Sequence, residues 1–157
     1  MIITVTLNPS LDRTIEVPEL VRGHVLRITD GHLHPGGKGV NVTRALLANG
    51  VASRAVVPIG GASGTQLVEM LAEDGVDALT VPIAGTTRTN IAVAEPDGTV
   101  TKLNEPGPVV SEAELESVVV AALDAASPGD WIVLCGSLPQ GADEDIYASM
   151  VGRIRER

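Results

Sequence analysis

The chain has 157 residues, a formal net charge of −9 and one cysteine, Cys135. The length suits a single domain whose core, because Phe is absent, must be aliphatic. The acidic balance argues against nucleic-acid binding, and one cysteine excludes an intramolecular disulfide. No apolar run reaches the ~18 residues of a membrane span, and the N-terminus has no basic leader, so we expect a soluble cytoplasmic protein without a membrane partner.

The first element is a β-strand from about Ile2 to Leu7, rich in β-branched residues. Asn8 and Pro9 break it and place Asp12 just beyond its carboxyl end. Ligands of open α/β sheets bind outside the carboxyl ends of strands. Asp12 is therefore a candidate ligand for hydroxyl groups, although a turn or capping aspartate would produce the same pattern.

The next stretch alternates polar and apolar residues with the period of a strand that has one wet face. Thr14–Val17 and Val25–Thr29 show this pattern, which predicts an antiparallel excursion from the main sheet. Arg27 lies on the second of these strands. An ordinary surface arginine is the alternative to a binding role for it.

A glycine-rich segment, His34–Val42, then leads into the first helix. Gly36, Gly37 and Gly39 let the main chain approach a ligand closely, and Lys38 with the helix N-terminus favours an anion or a hydroxyl-rich ligand. A glycine-rich turn with a solvated lysine is the alternative. The helix is predicted from about Val40 to Asn49, with its buried side formed by Val42, Leu46 and Leu47.

Further strands and helices alternate along the middle of the chain. A core strand is predicted at Arg54–Ile59, a helix from about Thr65 to Asp74, and an edge strand at Val76–Ile83 that contains Pro82. Asn90–Glu95 and Thr99–Asn104 then form a hairpin around an Asp-Gly turn. We expect this polar hairpin to pair with the first excursion in a small separate sheet, which could close over a site or mediate dimerisation.

The last third of the chain contains the clearest helix signal, in which Ser111 and Glu114 form a capping box. Trp131–Cys135 is predicted to be a central parallel strand, with a glycine-bounded turn containing Ser137 at its carboxyl end. A final helix is predicted from about Glu144 to Ile154. Repeated strand–helix alternation predicts an α/β fold with a doubly wound sheet.

Several kinds of site are excluded by the motifs. Lys38 is followed by Gly39, whereas a P-loop needs Ser or Thr there. No dinucleotide fingerprint follows the first strand, Cys and His are not spaced for a metal, and G-x-S-x-G is absent around Ser137. The remaining cationic residues suit a phosphate, and the carboxylate, amide and hydroxyl side chains suit sugar hydroxyls. Together they predict a phosphosugar site formed by Asp12, Arg27, Lys38, Asn41, Arg88, Asn90 and Ser137.

Five motifs in order give the whole chain a specific resemblance to a known family. They are Asn8-Pro9-Ser10-Leu11-Asp12, Gly36-Gly37-Lys38-Gly39-Val40-Asn41-Val42, Thr87-Arg88-Thr89-Asn90-Ile91, Asn104-Glu105-Pro106-Gly107-Pro108 and Gly136-Ser137-Leu138-Pro139. The sequence resembles the ribokinase-like (PfkB) carbohydrate kinases, and within them the 1-phosphofructokinase and tagatose-6-phosphate kinase branch.

The resemblance implies a three-layer α/β/α fold with a small β-sheet lid, formed here by segments of about 12–33 and 87–104. Such a lid closes the sugar site and often mediates a homodimer. The resemblance further implies that Asp12 binds sugar hydroxyls, that Gly37 and Asn41 contact the sugar together with Gly36, and that Lys38 and Arg88 bind the substrate phosphate. Arg27, Asn90 and Ser137 are carried over from it as further substrate contacts.

The family's C-terminal signatures do not occur in these residues. A Gly-Ala-Gly-Asp motif with the catalytic aspartate and an Asn-x-x-Glu motif linked to magnesium are both missing. The resemblance therefore implies that residues 1–157 are the N-terminal part of one kinase domain, with no catalytic residue and no metal ligand, and that ATP and Mg²⁺ bind mainly elsewhere in the parent. We expect the parent to phosphorylate fructose 1-phosphate to fructose 1,6-bisphosphate. The alternatives are tagatose 6-phosphate or fructose 6-phosphate as substrate, or a non-catalytic sugar-phosphate binding or dimerisation module.

Overall fold

The computed structural model describes residues 1–156, in which eight strands and four helices form two separate sheets with helices around one of them. In chain order the elements are β1 (Ile2–Val5), β2 (Ser10–Glu16), β3 (Asp30–Gly36), α1 (Lys38–Ala48), β4 (Ser53–Ile59), α2 (Gly61–Glu73), β5 (Ala78–Pro82), β6 (Arg88–Ala94), β7 (Val100–Asn104), α3 (Glu112–Ala125), β8 (Trp131–Leu134) and α4 (Ile146–Arg155). None of the helices in this part of the chain is both long and apolar enough to cross a membrane.

The main sheet has the strand order β5-β4-β1-β8, and every neighbouring pair is parallel. Pro82 lies at the end of the edge strand β5, as predicted. The prediction that Trp131–Cys135 is central is wrong for residues 1–156. Within that range β8 pairs with β1 alone and forms an edge of the sheet, and Trp131 is 74% exposed.

Helices cover both faces of the main sheet, which confirms the three-layer α/β/α architecture. On one face, Ile3, Val5 and Val56 pack with residues of α3 and α4. On the other, Ala55 and Val57 pack with residues of α1 and α2. The alternation of side chains along each strand divides the aliphatic residues between the two faces.

The buried face of α1 differs from the prediction, which named Val42, Leu46 and Leu47. The helix begins at Lys38, and its buried residues are Gly39, Val40 and Thr43. Leu47 is 43% exposed. The reason is polar: Thr43 Oγ1 and Thr4 Oγ1 are 2.6 Å apart in a buried hydrogen bond that turns this side of the helix toward β1. A pattern of apolar residues cannot reveal such an anchor.

The small sheet, defined here as β2, β3, β6 and β7, has the order β3-β2-β6-β7 and shares no strand with the main sheet. It confirms that the two polar excursions pair with each other: β2 and β6 are parallel, and the outer pairs are antiparallel. The strand predicted at Val25–Thr29 is wrong, because β3 spans Asp30–Gly36 instead. Leu33 on β3 packs against the core, whereas Val25 is 91% exposed and has no apolar surface to pack on.

The start of α3 agrees with the prediction, whereas the start of α2 does not. The capping box is confirmed: Ser111 Oγ accepts a hydrogen bond from the Glu114 amide, and the Glu114 carboxylate accepts one from the Ser111 amide at 2.8 Å. The Glu114 carboxylate also accepts hydrogen bonds from the Ser111 hydroxyl at 2.6 Å and from the Ala84 amide, and these contacts, that of the Ser111 hydroxyl above all, hold its pKa below its usual range. Helix α2 begins at Gly61 rather than near Thr65, with Gly60 as its N-cap.

Candidate functional site

The candidate site lies where the end of β1, the start of α1, the end of β8 and the first residues of the small sheet meet. Strand β2 starts only a few residues after β1, at Ser10, and pairs there with Arg88 of β6 and Gly36 of β3. This register brings three of the five sequence motifs side by side. It places polar side chains at the carboxyl edge of the main sheet, where ligands of such folds bind.

The Asp12 cluster (Ser10, Asp12 and Asn90) forms a hydrogen-bonded group on β2 and β6. Asp12 and Asn90 are directly opposite in the register, and Asp12 Oδ1 accepts hydrogen bonds from Asn90 Nδ2 at 2.8 Å and from Ser10 Oγ at 2.7 Å. Asn90 Oδ1 is buried and has no partner within residues 1–156. A carboxylate beside an unsatisfied amide oxygen can accept hydrogen bonds from neighbouring hydroxyl groups of a sugar.

Glycines hold the main chain close to this cluster. A Cβ atom at Gly36 would lie 2.5 Å from Asp12 Cγ and 2.6 Å from Asp12 Oδ1, so the carboxylate occupies the space that a side chain would take. Gly37 has φ of 119°, and a Cβ there would lie 2.7 Å from Thr6 Cγ2. A side chain at either position would displace a neighbour, which explains why this approach requires glycine.

The N-terminus of α1 provides donors beside the cluster. The Val40 amide donates to Thr6 Oγ1 at 3.1 Å and the Asn41 amide to the Gly37 carbonyl at 2.9 Å. The amides of Lys38 and Gly39 have no partner within residues 1–156. Lys38 itself is exposed and makes no hydrogen bond or ion pair there. Free amides, a helix dipole and an ammonium group together favour a negatively charged or strongly polar ligand.

The side chain of Arg88 has a different environment from the one its predicted role suggests. Its Nη1 donates to the Glu105 carbonyl at 2.9 Å, and its Nη2 donates to the Asn8 carbonyl at 3.1 Å and lies 3.4 Å from Ser137 Oγ. Its Nε is buried and has no partner in the described chain. Arg88 therefore ties the small sheet to the end of β1, and part of its donor capacity is already used by protein carbonyls.

Asn8 is a site residue that sequence reasoning missed. It is only 3% exposed, and its Nδ2 donates to the Pro106 carbonyl at 3.0 Å and to the Leu138 carbonyl at 3.2 Å. Its Oδ1 is buried without a partner and lies against Gly107. The sequence indicates only a turn residue at Asn8, although Asn8 belongs to the same motif as Asp12. We call Asn8, Arg88, Pro106, Ser137 and Leu138 the Asn8 junction, because they join β1, β6, the segment after β7 and the segment after β8.

The structure brings most of the predicted residues together but leaves Arg27 apart. Arg27 is exposed in the irregular segment between β2 and β3 and makes no hydrogen bond or ion pair within residues 1–156. Ser137 joins the Asn8 junction, and Lys38 lies near the turn that contains Ser137, since a Cβ at Gly136 would be 3.9 Å from Lys38 Cβ. Asn41 is exposed one turn into α1.

The turn after β8 is held by a second missed residue, Tyr147 of α4. Its hydroxyl donates to the Cys135 carbonyl at 3.2 Å, and burial raises its pKa to about 12. Burial also raises the pKa of the Cys135 thiol, an effect that the charge of Lys38 partly opposes. The thiol therefore stays protonated at neutral pH, as expected for a structural cysteine.

Potential metal ligands lie close together away from this site. Within residues 1–156, three potential metal ligands lie close together only at Glu16, Asp30 and His32, which are exposed at the opposite end of β2 from Ser10. Asp12 Oδ1 already accepts two hydrogen bonds, from Ser10 Oγ and from Asn90 Nδ2. The site therefore offers hydrogen-bond acceptors and donors to a polar ligand.

The fold is a three-layer α/β/α domain with a small second sheet, and comparison with known proteins identifies its class. The sequence pattern of the pfkB family carbohydrate kinases matches residues 5–153. The chain belongs to this family, whose members transfer phosphoryl groups to carbohydrates. The family implies ATP and a divalent metal as cofactors.

Individual relatives narrow the likeness to phosphofructokinases. The 1-phosphofructokinase of Vibrio cholerae is 34% identical over 154 residues, which is 98% of this chain and 49% of the relative. Phosphofructokinase-2 from Escherichia coli in complex with fructose-6-phosphate superposes with a TM-score of 0.93 at 32% identity, over 99% of this chain and 51% of the other. Its tetrameric inhibited form gives a TM-score of 0.92 at 33% identity, over 99% and 51%. The chain spans about half the length of the relatives it matches, and their structures share its ribokinase-like fold.

Proposed function

We propose that the protein to which these residues belong phosphorylates a fructose phosphate with ATP, with fructose 1-phosphate as acceptor and fructose 1,6-bisphosphate as product. The observation that carries this proposal is the Asp12 cluster, packed against Gly36 beside the N-terminus of α1. It offers hydroxyl acceptors and anion donors in one place. Family membership and the named relatives support the same substrate class. Tagatose 6-phosphate and fructose 6-phosphate are the alternative acceptors.

In this proposal the chain supplies the acceptor half of the reaction. Asp12 and Asn90 bind sugar hydroxyls, Gly36 and Gly37 bring the main chain against the sugar, and Lys38 faces the charged groups. Residues outside this sequence bind ATP and Mg²⁺ and supply the base that accepts the hydroxyl proton. Because ATP and sugar phosphates are metabolites of the cytoplasm, we place the activity there.

A titration of the purified 157-residue chain with fructose 1-phosphate tests the proposal. We expect saturable binding without ADP release in the presence of ATP and Mg²⁺, because the site contains no free general base. Asp12→Ala should abolish binding, and Asp97→Ala, which changes a carboxylate in the exposed β6–β7 turn, should not. A folded chain that binds none of the three sugar phosphates would contradict the proposal, and ADP release above background would contradict the assignment of the base.

A non-catalytic sugar-phosphate binding module is a second candidate function. The observation that favours it is that Asp12 Oδ1 accepts hydrogen bonds from Ser10 and Asn90, an arrangement suited to holding hydroxyl groups. Both functions predict binding by the chain. They differ in whether a full-length protein containing these residues converts fructose 1-phosphate in the presence of ATP and Mg²⁺, which a coupled assay measures directly.

We also propose a homodimer formed through the small sheet. Five large apolar side chains of this part of the molecule are exposed: Leu20, Val25, Ile28, Val100 and Leu103. Of these, Leu103 lies opposite Ile91 of β6 on one face of the sheet, and exposed apolar surface of this kind is typical of a protein contact. Sedimentation analysis of the chain is expected to show a dimer that Leu103→Asp converts to a monomer, whereas Val120→Asp on α3 leaves it intact. A wild-type monomer at micromolar concentration would refute the proposal.

A further inference from the structure

The end of the small sheet farthest from Ser10 carries a second group of polar side chains. Asp30 of β3 lies directly opposite Glu16 of β2 in the antiparallel register, and His32 follows two positions later on β3. Residues two positions apart on a strand share a face of the sheet, as do residues that pair directly across it. One carboxylate oxygen from each acid and one imidazole nitrogen of His32 lie within 4.8 Å of one another. We call these three residues the His32 group.

The two acids of the His32 group are like charges that no lysine or arginine within residues 1–156 neutralises. Glu16 and Asp30 pair across the strands, a position in which like charges destabilise a sheet. In the described chain, the only ion-pair partner of either acid is His32, whose Nε2 lies 3.4 Å from Asp30 Oδ2. An uncharged imidazole offers the lone pair of one ring nitrogen. A cation held among the three side chains would therefore gain a third ligand and offset the repulsion between the carboxylates.

The main chain holds these ligands in place. The Thr29 amide donates to the Glu16 carbonyl at 2.9 Å, which fixes the backbone beside the Glu16–Asp30 pair. Asp30 Oδ1 accepts a hydrogen bond from the Gly31 amide at 2.7 Å, and Asp30 Oδ2 is the oxygen near His32. Hydrogen bonds to the outer oxygen of a carboxylate orient it toward a metal ion. The carboxylate of Asp30 is thus already oriented toward the other members of the group.

The chemistry of the His32 group suits a transition-metal ion. Mg²⁺ and Ca²⁺ prefer ligand sets made of oxygen atoms, whereas Zn²⁺ binds histidine nitrogen together with carboxylate oxygen at about 2.0–2.2 Å. Three protein ligands with water in the fourth position are a common arrangement for Zn²⁺. All three side chains are exposed, so small rotations can bring their ligand atoms to these distances. The spacing of Cys and His in the sequence does not reveal the group, because strand pairing forms it.

We propose that Glu16, Asp30 and His32 bind a divalent transition-metal ion of the Zn²⁺ class. The site shares no residue with the Asp12 cluster and lies at the other end of β2, so the inference does not depend on the proposed function. The ion links β2 to β3 where the irregular segment of residues 17–29 leaves the sheet. Because an ion that binds only the folded chain stabilises it, we assign the site a structural role in the small sheet.

An NMR titration of the tag-free, chelator-treated 157-residue chain with Zn²⁺ tests the proposal, because imidazole and amide signals report the site and the folding together. We expect saturable shifts of the His32 imidazole and of the amides around Glu16 and Asp30. Loss of an outer-shell partner alone weakens metal binding about 10–100-fold, so His32→Ala and Glu16→Gln should each weaken Zn²⁺ binding at least about tenfold. The matched controls His24→Ala and Glu19→Gln, both exposed in the segment of residues 17–29, should leave it unchanged.

Three results would overturn the proposal. A folded wild-type chain that binds no Zn²⁺ at millimolar concentration would show that the group is not a metal site. Equal weakening by His24→Ala and His32→Ala would show that the ion binds exposed histidines in general. Displacement of Zn²⁺ by an equal concentration of Ca²⁺ would show that the carboxylates act without the imidazole, whose nitrogen favours Zn²⁺. Saturating Zn²⁺ should also raise the thermal midpoint of the wild-type chain but not that of Glu16→Gln.

Discussion

Replacing Gly36 with alanine is expected to abolish fructose 1-phosphate binding while the chain remains folded. The new methyl group would lie 2.5 Å from Asp12 Cγ and 2.6 Å from Asp12 Oδ1. A carboxylate at the end of a side chain can rotate away, so the backbone survives but the hydrogen bonds to Asn90 and Ser10 are lost. The displaced Asp12 carboxylate could then no longer accept hydrogen bonds from the sugar. Losing two charged hydrogen bonds to the sugar should raise Kd by about 100-fold or more, which calorimetry would detect as loss of binding.

Gly31 provides a matched control on the same strand. A Cβ atom there would lie 3.5 Å from the Thr14 carbonyl oxygen and 3.7 Å from Ile15 Cγ2, which are ordinary contact distances. Gly31→Ala should therefore change neither the fold nor the affinity. If Gly36→Ala still binds fructose 1-phosphate as the wild type does, the Asp12 cluster is not the sugar site. If both variants lose binding, the effect comes from β3 as a whole rather than from Asp12.

The elements that the sequence predicts well are those whose signals are local. The capping box at Ser111 and the Asp-Gly turn between β6 and β7 each depend on residues within a few positions of one another, and both are present. The strand expected at Val25–Thr29 fails for the opposite reason. Its alternating pattern is as regular as that of β3, but only β3 finds a partner and an apolar surface, and a pattern in sequence does not say which segment will find them.

The site could be predicted only in part, because its residues are brought together by the pairing register of strands that are distant in sequence. Asp12, Lys38, Arg88 and Asn90 were identified from residue chemistry and family motifs. Their partners were not, because the pairing of β2 with β6 that aligns Asp12 with Asn90 joins residues 78 positions apart. The same limit applies to Arg88, whose engagement with two main-chain carbonyls depends on loops 80 and 17 positions away. The type of a side chain identifies a candidate binding residue, whereas only the folded structure shows which of its hydrogen bonds are already made to the protein.

The structure also explains why an apolar strand was expected to be central. Ile132, Val133 and Leu134 form a continuous aliphatic run, which is the pattern of a strand buried on both faces. In residues 1–156 this strand instead forms an edge with unpaired backbone groups on one side. An edge of this composition is prone to pair with another strand. The sequence pattern thus reports the burial for which the strand is suited, not the number of neighbours present in this part of the chain.

The Asn8 junction is expected to contribute more to stability than any exposed polar contact in the chain. Asn8→Ala removes the hydrogen bonds to the Pro106 and Leu138 carbonyls. Carbonyls left without a donor in a part-buried position, together with the space vacated by the amide, should lower the free energy of unfolding by about 2 kcal/mol. Because Asn8 joins the small sheet to the end of β1, hydrogen exchange of β6 and β7 should also accelerate.

Asn49→Ala is the matched control for that measurement, which urea unfolding provides. Asn49 Nδ2 donates to the Ala45 carbonyl at 2.8 Å, but it does so on the exposed end of α1, where water can replace it. Its loss should change the free energy of unfolding by less than about 0.5 kcal/mol. The two substitutions remove the same group and differ in burial and in the number of segments joined. Equal effects would mean that the junction does not couple the sheets, whereas a larger effect at Asn8 with faster exchange in β6 and β7 would show that one amide holds the small sheet in its place above the site.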